Sequence, residues 1–392
     1  MNSLYGTSKD IGENNIYAIF KLIYKNQPIT RKELANTSSY SAATISNHVN
    51  HLIELGFVTE SKKGFSTGGR KPVNLEIIPE KGYMLTINIE VEQVNIKLFN
   101  IKYEIVEEIK ITELYKDDVS RSLNKIFRKI NRILNHNFRL TEKLLGIGIS
   151  VPGLINKESG ELVFAPNLTW ENVPILDEFE AEFPGTPLFL ENEAKASAIA
   201  EKTFVYPEIE NMVYISVNQG IGCGIIFNGK LIRGATGNCG EYGHLKVTEN
   251  GRCCHCGKKG CWETEASELF IYNKFNQEVV ADKKYSQEEI YKLMAENHPL
   301  AVEISNQAAD GLGKGVANVI NSLNPELIVI GGGIVRISEY ISDRIKQIAS
   351  RQALDLLWNS TEIVFSSLEK KSVNLGMAWI VREHGIISQL KF

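Results

Sequence analysis

The sequence predicts an α/β protein in two parts, a small helical unit with a β-hairpin over residues 1–78 and a larger body of wound strands and helices over residues 79–392. Three observations lead there. Apolar residues recur at helical spacing through the first 55 residues and then give way to a hairpin pattern. From residue 82 onward, strand-like apolar runs alternate with helical ones, the pattern of open wound sheets that bind ligands at the carboxyl ends of their strands. Charge divides at the same place: residues 1–78 carry nine Lys and Arg against six acids, so a chain of net charge −4 leaves −7 on the body.

A chain of 392 residues has room for two or three cores. With 43% hydrophobic and 23% charged residues, its composition is that of an ordinary globular protein. No apolar run reaches the roughly 18 residues of a membrane span. The start, MNSLYGTSKDIGENN, lacks the basic-then-apolar order of a signal peptide. A cytoplasmic location is expected, where a cysteine cluster more often binds metal than forms disulfides.

In the first unit, Ile16, Ile19, Phe20 and Ile23 mark one helical face. RKELANTS follows with Thr30 as N-cap and Glu33 three residues on, a capping box. The next helix is SAATISNHVNHLIELG, capped by Ser41, striped by Ile45, Val49, Leu52 and Ile53, and stopped by Gly56. FVTESKKGFSTGGRKPVNLEI reads as two strands around a Gly-rich tip. Three helices and a hairpin make a winged helix-turn-helix, whose third helix enters the DNA major groove. The polar face of that helix offers Ser41, Ala42, Thr44, Asn47 and His48, short groups suited to phosphates and base edges. Arg70 and Lys71 on the wing tip suit a narrow minor groove. Operator DNA is the partner these residues predict.

The body opens with three strands of a meander, YMLTINIEV, VNIKLFN and EIVEEIKI, then the helix SRSLNKIFRKINRIL and the strand LLGIGISVP. Later strands are PLFLEN, MVYISVN, GCGIIFNG and LIVIGGG, with EAKASAIAEKTF and QAADGLGKGVANVINSL as helices. Three segments fall at strand ends. FAPNLTW carries Asn167 beside Trp170, LENEAKASAIAE carries Asn192 and Glu193, and GATGNCGEYGHLKV carries Glu241 and His244. Taken singly, each is also a normal cap or solvated loop residue. Converging near an aromatic ring, such amide, carboxylate and imidazole groups suit a polyhydroxylated ligand.

Four of the six cysteines crowd into GRCCHCGKKGCWE, residues 251–263. Cys254, Cys256 and Cys261 form a C-x-C-x4-C set, thiolates whose spacing selects tetrahedral zinc. Cys253 adjoins Cys254 and could not reach the same ion without strain, so His244 is the better fourth ligand. Three sulfurs and a nitrogen leave no open position, which makes the zinc structural. Cys253 and His255 read as bystanders, and Cys223 and Cys239 as packing residues.

The order of SVPGLIN, PNLTW, ENEA, GIGCGIIFNGKLIRG, GEYGH, CHCGKKGCWE and IVIGGGI resembles the ROK family of repressors and sugar kinases along essentially the whole chain. The resemblance implies two actin/hexokinase-like lobes around a cleft, preceded by the winged helix-turn-helix of the family's repressors. Through ENEA and the TGGRKP wing it is most similar to the xylose-responsive members. It also implies that Asn167, Asn192, Glu193, Glu241, His244 and Glu263 contact sugar hydroxyls, and that His244, Cys254, Cys256 and Cys261 hold zinc. A homodimer or homotetramer binding operator DNA under control of a sugar, xylose or related, follows from the same resemblance.

A kinase of the family needs an Asp-x-Gly-Gly-Thr turn for ATP phosphates. NIEVE, Asn88 to Glu92, stands there with no glycine and two carboxylates that would repel a triphosphate. A second need is an Asp base, replaced by the longer Glu193; an error of about 1 Å there can cost about 10²-fold. Lys195 replaces an amide usual in the family, and it is expected either to pair with Glu193 or to face solvent. The sequence is therefore read as a regulator, with ATP-dependent sugar phosphorylation as the alternative.

Overall fold

The N-terminal unit is built from α1 (Ser8–Asn26), β1 (Ile29–Thr30), α2 (Arg31–Thr37), α3 (Ala42–Glu54), β2 (Val58–Ser61) and β3 (Asn74–Ile77). The computed structural model describes residues 8–61, 73–115, 117–135, 138–280, 283–368 and 371–390. Thr30 caps α2 through the Glu33 backbone N–H while the Glu33 carboxylate accepts from the Thr30 N–H, so the capping box is present. Ser41 caps α3, and Gly56 takes φ +77 just after it, a conformation that favours glycine. β1, β3 and β2 pair in that order as the wing's small sheet. Arg70 and Lys71 lie outside the described residues.

The first lobe contains the meander β4 (Tyr83–Ile89), β5 (Val94–Asn100) and β6 (Ile105–Ile111), then α4 (Val119–Asn135), α5 (Phe138–Glu142) and β7 (Leu144–Val151). A small antiparallel sheet follows: β8 (Leu154–Asn156), β9 (Glu161–Ala165) and β10 (Trp170–Val173). Then come α6 (Ile175–Glu182) and β11 (Leu188–Asn192). The main sheet runs β11-β7-β4-β5-β6, with β4, β7 and β11 parallel and the meander antiparallel. Every residue of β4 is buried, as expected of a central strand covered on both faces.

α7 (Glu193–Ala200) leaves the end of β11 and leads into the second lobe. That lobe holds β12 (Met212–Val217), β13 (Ile221–Phe227), β14 (Lys230–Leu231), α8 (Glu263–Ala266), α9 (Glu268–Glu278), α10 (Gln287–Ala295) and α11 (Pro299–Leu323). It ends with β15 (Leu327–Gly331), α12 (Ser338–Gln352), α13 (Asp355–Trp358) and β16 (Glu362–Phe365). Its sheet runs β14-β13-β12-β15-β16. Finally α14 (Ser372–Gln389) returns the chain to the first lobe.

Each lobe has its own apolar cluster. A third cluster is shared between the N-terminal unit and the body. Ile16, Ile19, Phe20, Ile45, Val49 and Leu52 pack together with Met84, Phe99 and Leu145 of the first lobe and with Ala378, Val381, Ile386 and Leu390 of the last helix. The head is therefore packed onto the body rather than tethered beside it. Among the described residues no helix is long and apolar enough to cross a membrane.

Candidate functional site

Between the lobes lies a cavity of about 760 Å³, and Asn167, Asn192, Glu193, Glu241, His244 and Glu263 all line it. Asn167 comes from the β9–β10 loop, Asn192 and Glu193 from the β11–α7 junction, Glu241 and His244 from the loop after β14, and Glu263 from the start of α8. The carboxyl ends of strands thus supply it, as the wound-sheet pattern implies. Asn192 is largely committed to the fold: its Oδ1 accepts the Ala194 N–H at 2.9 Å and the Lys195 N–H at 3.4 Å, while its Nδ2 donates to Gly153 O at 3.1 Å. Burial pushes the Glu193 carboxyl up to about 7, with the Glu90 charge adding to the effect. Burial likewise raises Glu241, against the pull of Lys195 and His244.

The opposite side of the cavity is occupied by its own side chains. Glu90 accepts from Asn88 Nδ2 at 2.7 Å, from Asn95 Nδ2 at 2.9 Å and from Gln93 Nε2. The side-chain amides of Asn88, and of Gln93 and Asn95 just beyond the NIEVE turn, are drawn around an internal carboxylate, where a phosphate-binding turn would aim backbone N–H groups at its ligand. Across the cleft, Gln219 Nε2 donates to Glu92 Oε1 at 2.9 Å. The glycines of IGGGI have packing reasons. A Cβ on Gly331 would overlap the Tyr214 hydroxyl, one on Gly332 the Val217 carbonyl and one on Gly333 the Glu268 carboxylate.

His244, Cys254, Cys256 and Cys261 converge, their ligand atoms all within 4.8 Å of one another. Zinc–sulfur bonds of about 2.3 Å and zinc–nitrogen bonds of about 2.05 Å in a tetrahedron give S–S edges near 3.8 Å and S–N edges near 3.6 Å. Cys256 Sγ lies 3.7 Å from Cys261 Sγ, and Cys254 Sγ lies 3.6 Å from His244 Nδ1. The donor set fits a metal ion. With Nδ1 turned to the thiols, Nε2 is the His244 nitrogen left for the cavity. Glu263 joins the two regions, its Oε1 2.9 Å from Cys254 Sγ and its Oε2 accepting the Ile221 N–H at 3.4 Å.

His255 stays outside the cysteine cluster, as expected of a bystander to the metal set, but its Nδ1 lies 2.8 Å from Asn167 Oδ1, so the cysteine loop of one lobe grips a cavity residue of the other. One residue behaves differently from expectation. Lys195 neither pairs with Glu193 nor faces solvent. It is 1% exposed and donates from Nζ to Gly237 O at 2.7 Å, beside the loop that carries Glu241. Cys223 and Cys239 do pack in the second lobe's core. The position of His255 between two ligands of the C-x-C set was the available signal, since both flanking residues are fixed and the side chain must project from the loop.

On α3, Ser41, Ala42 and Asn47 are exposed, and Thr44 and His48 are half-buried. Ser41 Oγ is occupied by its capping bond to the Thr44 N–H at 3.1 Å and by Thr44 Oγ1 at 2.8 Å, which leaves Asn47 and Ala42 as the open groups of that face. Burial, with His51 beside it, holds the His48 imidazole below its usual value and favours the neutral form.

Among known proteins, the ROK family model matches residues 84–384, and a winged helix-turn-helix DNA-binding model matches residues 13–59. The xylose repressor of Caldicellulosiruptor bescii is 32% identical over 374 residues, covering 92% of this chain and 94% of that protein. The DNA-binding transcriptional dual regulator NagC of Escherichia coli K12 is 28% identical, covering 96% and 94%. A solved ROK family transcriptional regulator, described as a homologue of the E. coli MLC protein, superposes with a TM-score of 0.81 at 29% identity, covering 97% of this chain and 98% of that one. With two lobes around a cleft, and a winged head ahead of them, the chain belongs to the ROK family.

Proposed function

We propose that this chain is a sugar-responsive, DNA-binding transcriptional repressor of carbohydrate-utilisation genes, working in the cytoplasm as a homo-oligomer. Residues 1–78 hold the operator through Ala42, Thr44, Asn47 and His48 of α3, together with Ser41 at its start and Arg70 and Lys71 on the wing. Residues 79–392 form the sensing domain. There Asn167, Glu193, Glu241, His244 and Glu263 bind the sugar, and Asn192 holds the β11–α7 junction that presents Glu193. Xylose or a related sugar is the effector, on the strength of the repressors it resembles. His244, Cys254, Cys256 and Cys261 hold a structural zinc, which fixes the loop carrying Glu263 and the orientation of His244. Sugar binding favours one arrangement of the lobes and so shifts the heads away from their operator-bound placement.

The observation that carries this reading is the asymmetry of the cavity. One side retains its polar sugar-type groups, and on the other Glu90 fills the turn that a nucleotide would need. One fact favours catalysis: a carboxyl near 7 at Glu193 has the affinity for protons of a working general base. Without a phosphate turn it has no phosphoryl group to serve. Calorimetry of the zinc-loaded protein with D-xylose, D-glucose, N-acetylglucosamine and ATP tests the choice. The reading expects heat from one sugar and none from ATP; ATP binding, or ADP release with any sugar, would restore the kinase.

A further inference from the structure

The sugar cavity and the DNA-binding head share one helix. α14 begins at the cavity, where Ser372 and Val373 line the wall and Ser372 Oγ lies 3.1 Å from Ser197 Oγ of α7. Its far end is part of the core that holds α1 and α3. Between those ends α7 crosses it so closely that a Cβ on Gly376 would overlap the Ala196 carbonyl. Packing this tight transmits a displacement of α7, whose first residue is Glu193, into α14.

A second route meets the first. The turn Glu201–Val205 extends α7, and its Phe204 ring packs edge-on to Tyr103 with centroids 4.8 Å apart. Tyr103 lies between β5 and β6 with φ 64, a backbone conformation uncommon for a tyrosine. Both routes end on Arg382 of α14. Its guanidinium lies 4.3 Å from the ring of Tyr24 on α1 and 4.5 Å from the ring of Tyr103. Arg382 is 4% exposed, its Nη1 donates to Ile101 O at 3.4 Å, and its Nε has no partner among the described residues. Its Nη2 also lies 3.4 Å from Glu383 Oε1, and a buried charge held by that carboxylate, one carbonyl and two ring faces is sensitive to small shifts of either ring.

We propose that Arg382, clasped between Tyr24 of the head and Tyr103 of the body, is the joint that passes the state of the sugar cavity to the DNA-binding unit. It is a positioning residue that touches neither ligand. The proposal rests on the reading of the chain as a sugar-responsive DNA binder. A hydrophobic contact alone would hold the head in place; the cation between two rings gives the interface a preferred alignment, which movement of α7 or α14 disturbs.

The test uses zinc-loaded full-length protein, D-xylose as the sugar, and a DNA duplex enriched from a random library by the sugar-free wild type. Anisotropy at fixed salt gives the ratio of operator Kd with and without saturating xylose, and calorimetry gives the xylose Kd. Allosteric couplings typically span about 5- to 150-fold; Arg382→Met should reduce the ratio to below about twofold while leaving the xylose Kd within about threefold. Tyr24→Leu, which spares the Tyr103 and Ile101 contacts, should act in the same direction and serves if Arg382→Met does not fold. A variant ratio equal to that of wild type overturns the joint, as does loss of xylose binding in a folded variant. A wild-type ratio of one, with xylose bound, instead overturns the functional reading and the joint with it.

Discussion

Replacing Glu193 by Gln should stabilise the protein in a pH-dependent way. Burial, reinforced by Glu90, raises the Glu193 carboxyl from 4.5 to about 7 in the folded chain. Between those values the folded state binds a proton that the unfolded state has released, so this residue makes stability fall as pH rises from about 4.5 to about 7. At about 1.36 kcal/mol for each pH unit of displacement, the full cost of ionising it is about 3 kcal/mol. Integrating over the accessible range places about 2 kcal/mol of that between pH 5.5 and pH 8. Glu193→Gln removes the ionisation and keeps the shape. The assay is urea unfolding of both proteins at pH 5.5, 6.5, 7.3 and 8 with zinc present. The stability advantage of the variant should grow by about 2 kcal/mol across that series. A constant difference would show that Glu193 does not titrate over this range, because other titrating groups, Glu241 and the cysteine–histidine cluster included, cancel in the comparison.

Four other outcomes are expected. Cys256→Ser, or prolonged chelation, should lower the melting temperature and abolish a stoichiometry of about one zinc per chain by atomic absorption; unchanged stability after complete metal loss would count against a structural ion. His255→Ala should weaken sugar binding by about 2- to 12-fold, the loss of one hydrogen bond, with zinc content unaltered, as calorimetry and metal analysis would record. Thr30→Ala should cost about 1 kcal/mol in denaturant unfolding by removing the α2 cap. Arg70→Ala with Lys71→Ala should weaken operator binding and flatten the log Kd against log salt slope by about 1 for each phosphate no longer neutralised, measured by anisotropy at several salt concentrations.

What was legible in the sequence was local chemistry. Thr30 with Glu33, and Ser41 with Thr44, form caps because the partners lie three residues apart, whatever the rest of the chain does. The three cysteines sit in one loop, and the Gly-rich loop ending at His244 completes the cluster from ten residues before Cys254. The paired strands of the meander and the wound sheets followed from apolar periodicity. What was not legible depends on which distant segments meet. Asn167 and His255 are 88 residues apart, and Lys195 and Gly237 are 42 apart, so only the closed fold brings them together. Asn192 could equally cap a helix or meet a ligand, and the backbone at Ala194 and Lys195 takes most of its amide. The small sheet β8–β10 has strands of three to five residues, too short for a period to stand out. α14 buries residues on several sides because it packs against both the head and the first lobe, which blurs its helical stripe.

Sugar control of DNA binding is tested by the affinity of the zinc-loaded protein for its selected operator, titrated with D-xylose at constant salt and pH. Operator Kd should rise with xylose and level off once the sugar site is saturated. An operator affinity that stays the same at saturating sugar, with sugar binding confirmed in the same sample, would contradict it.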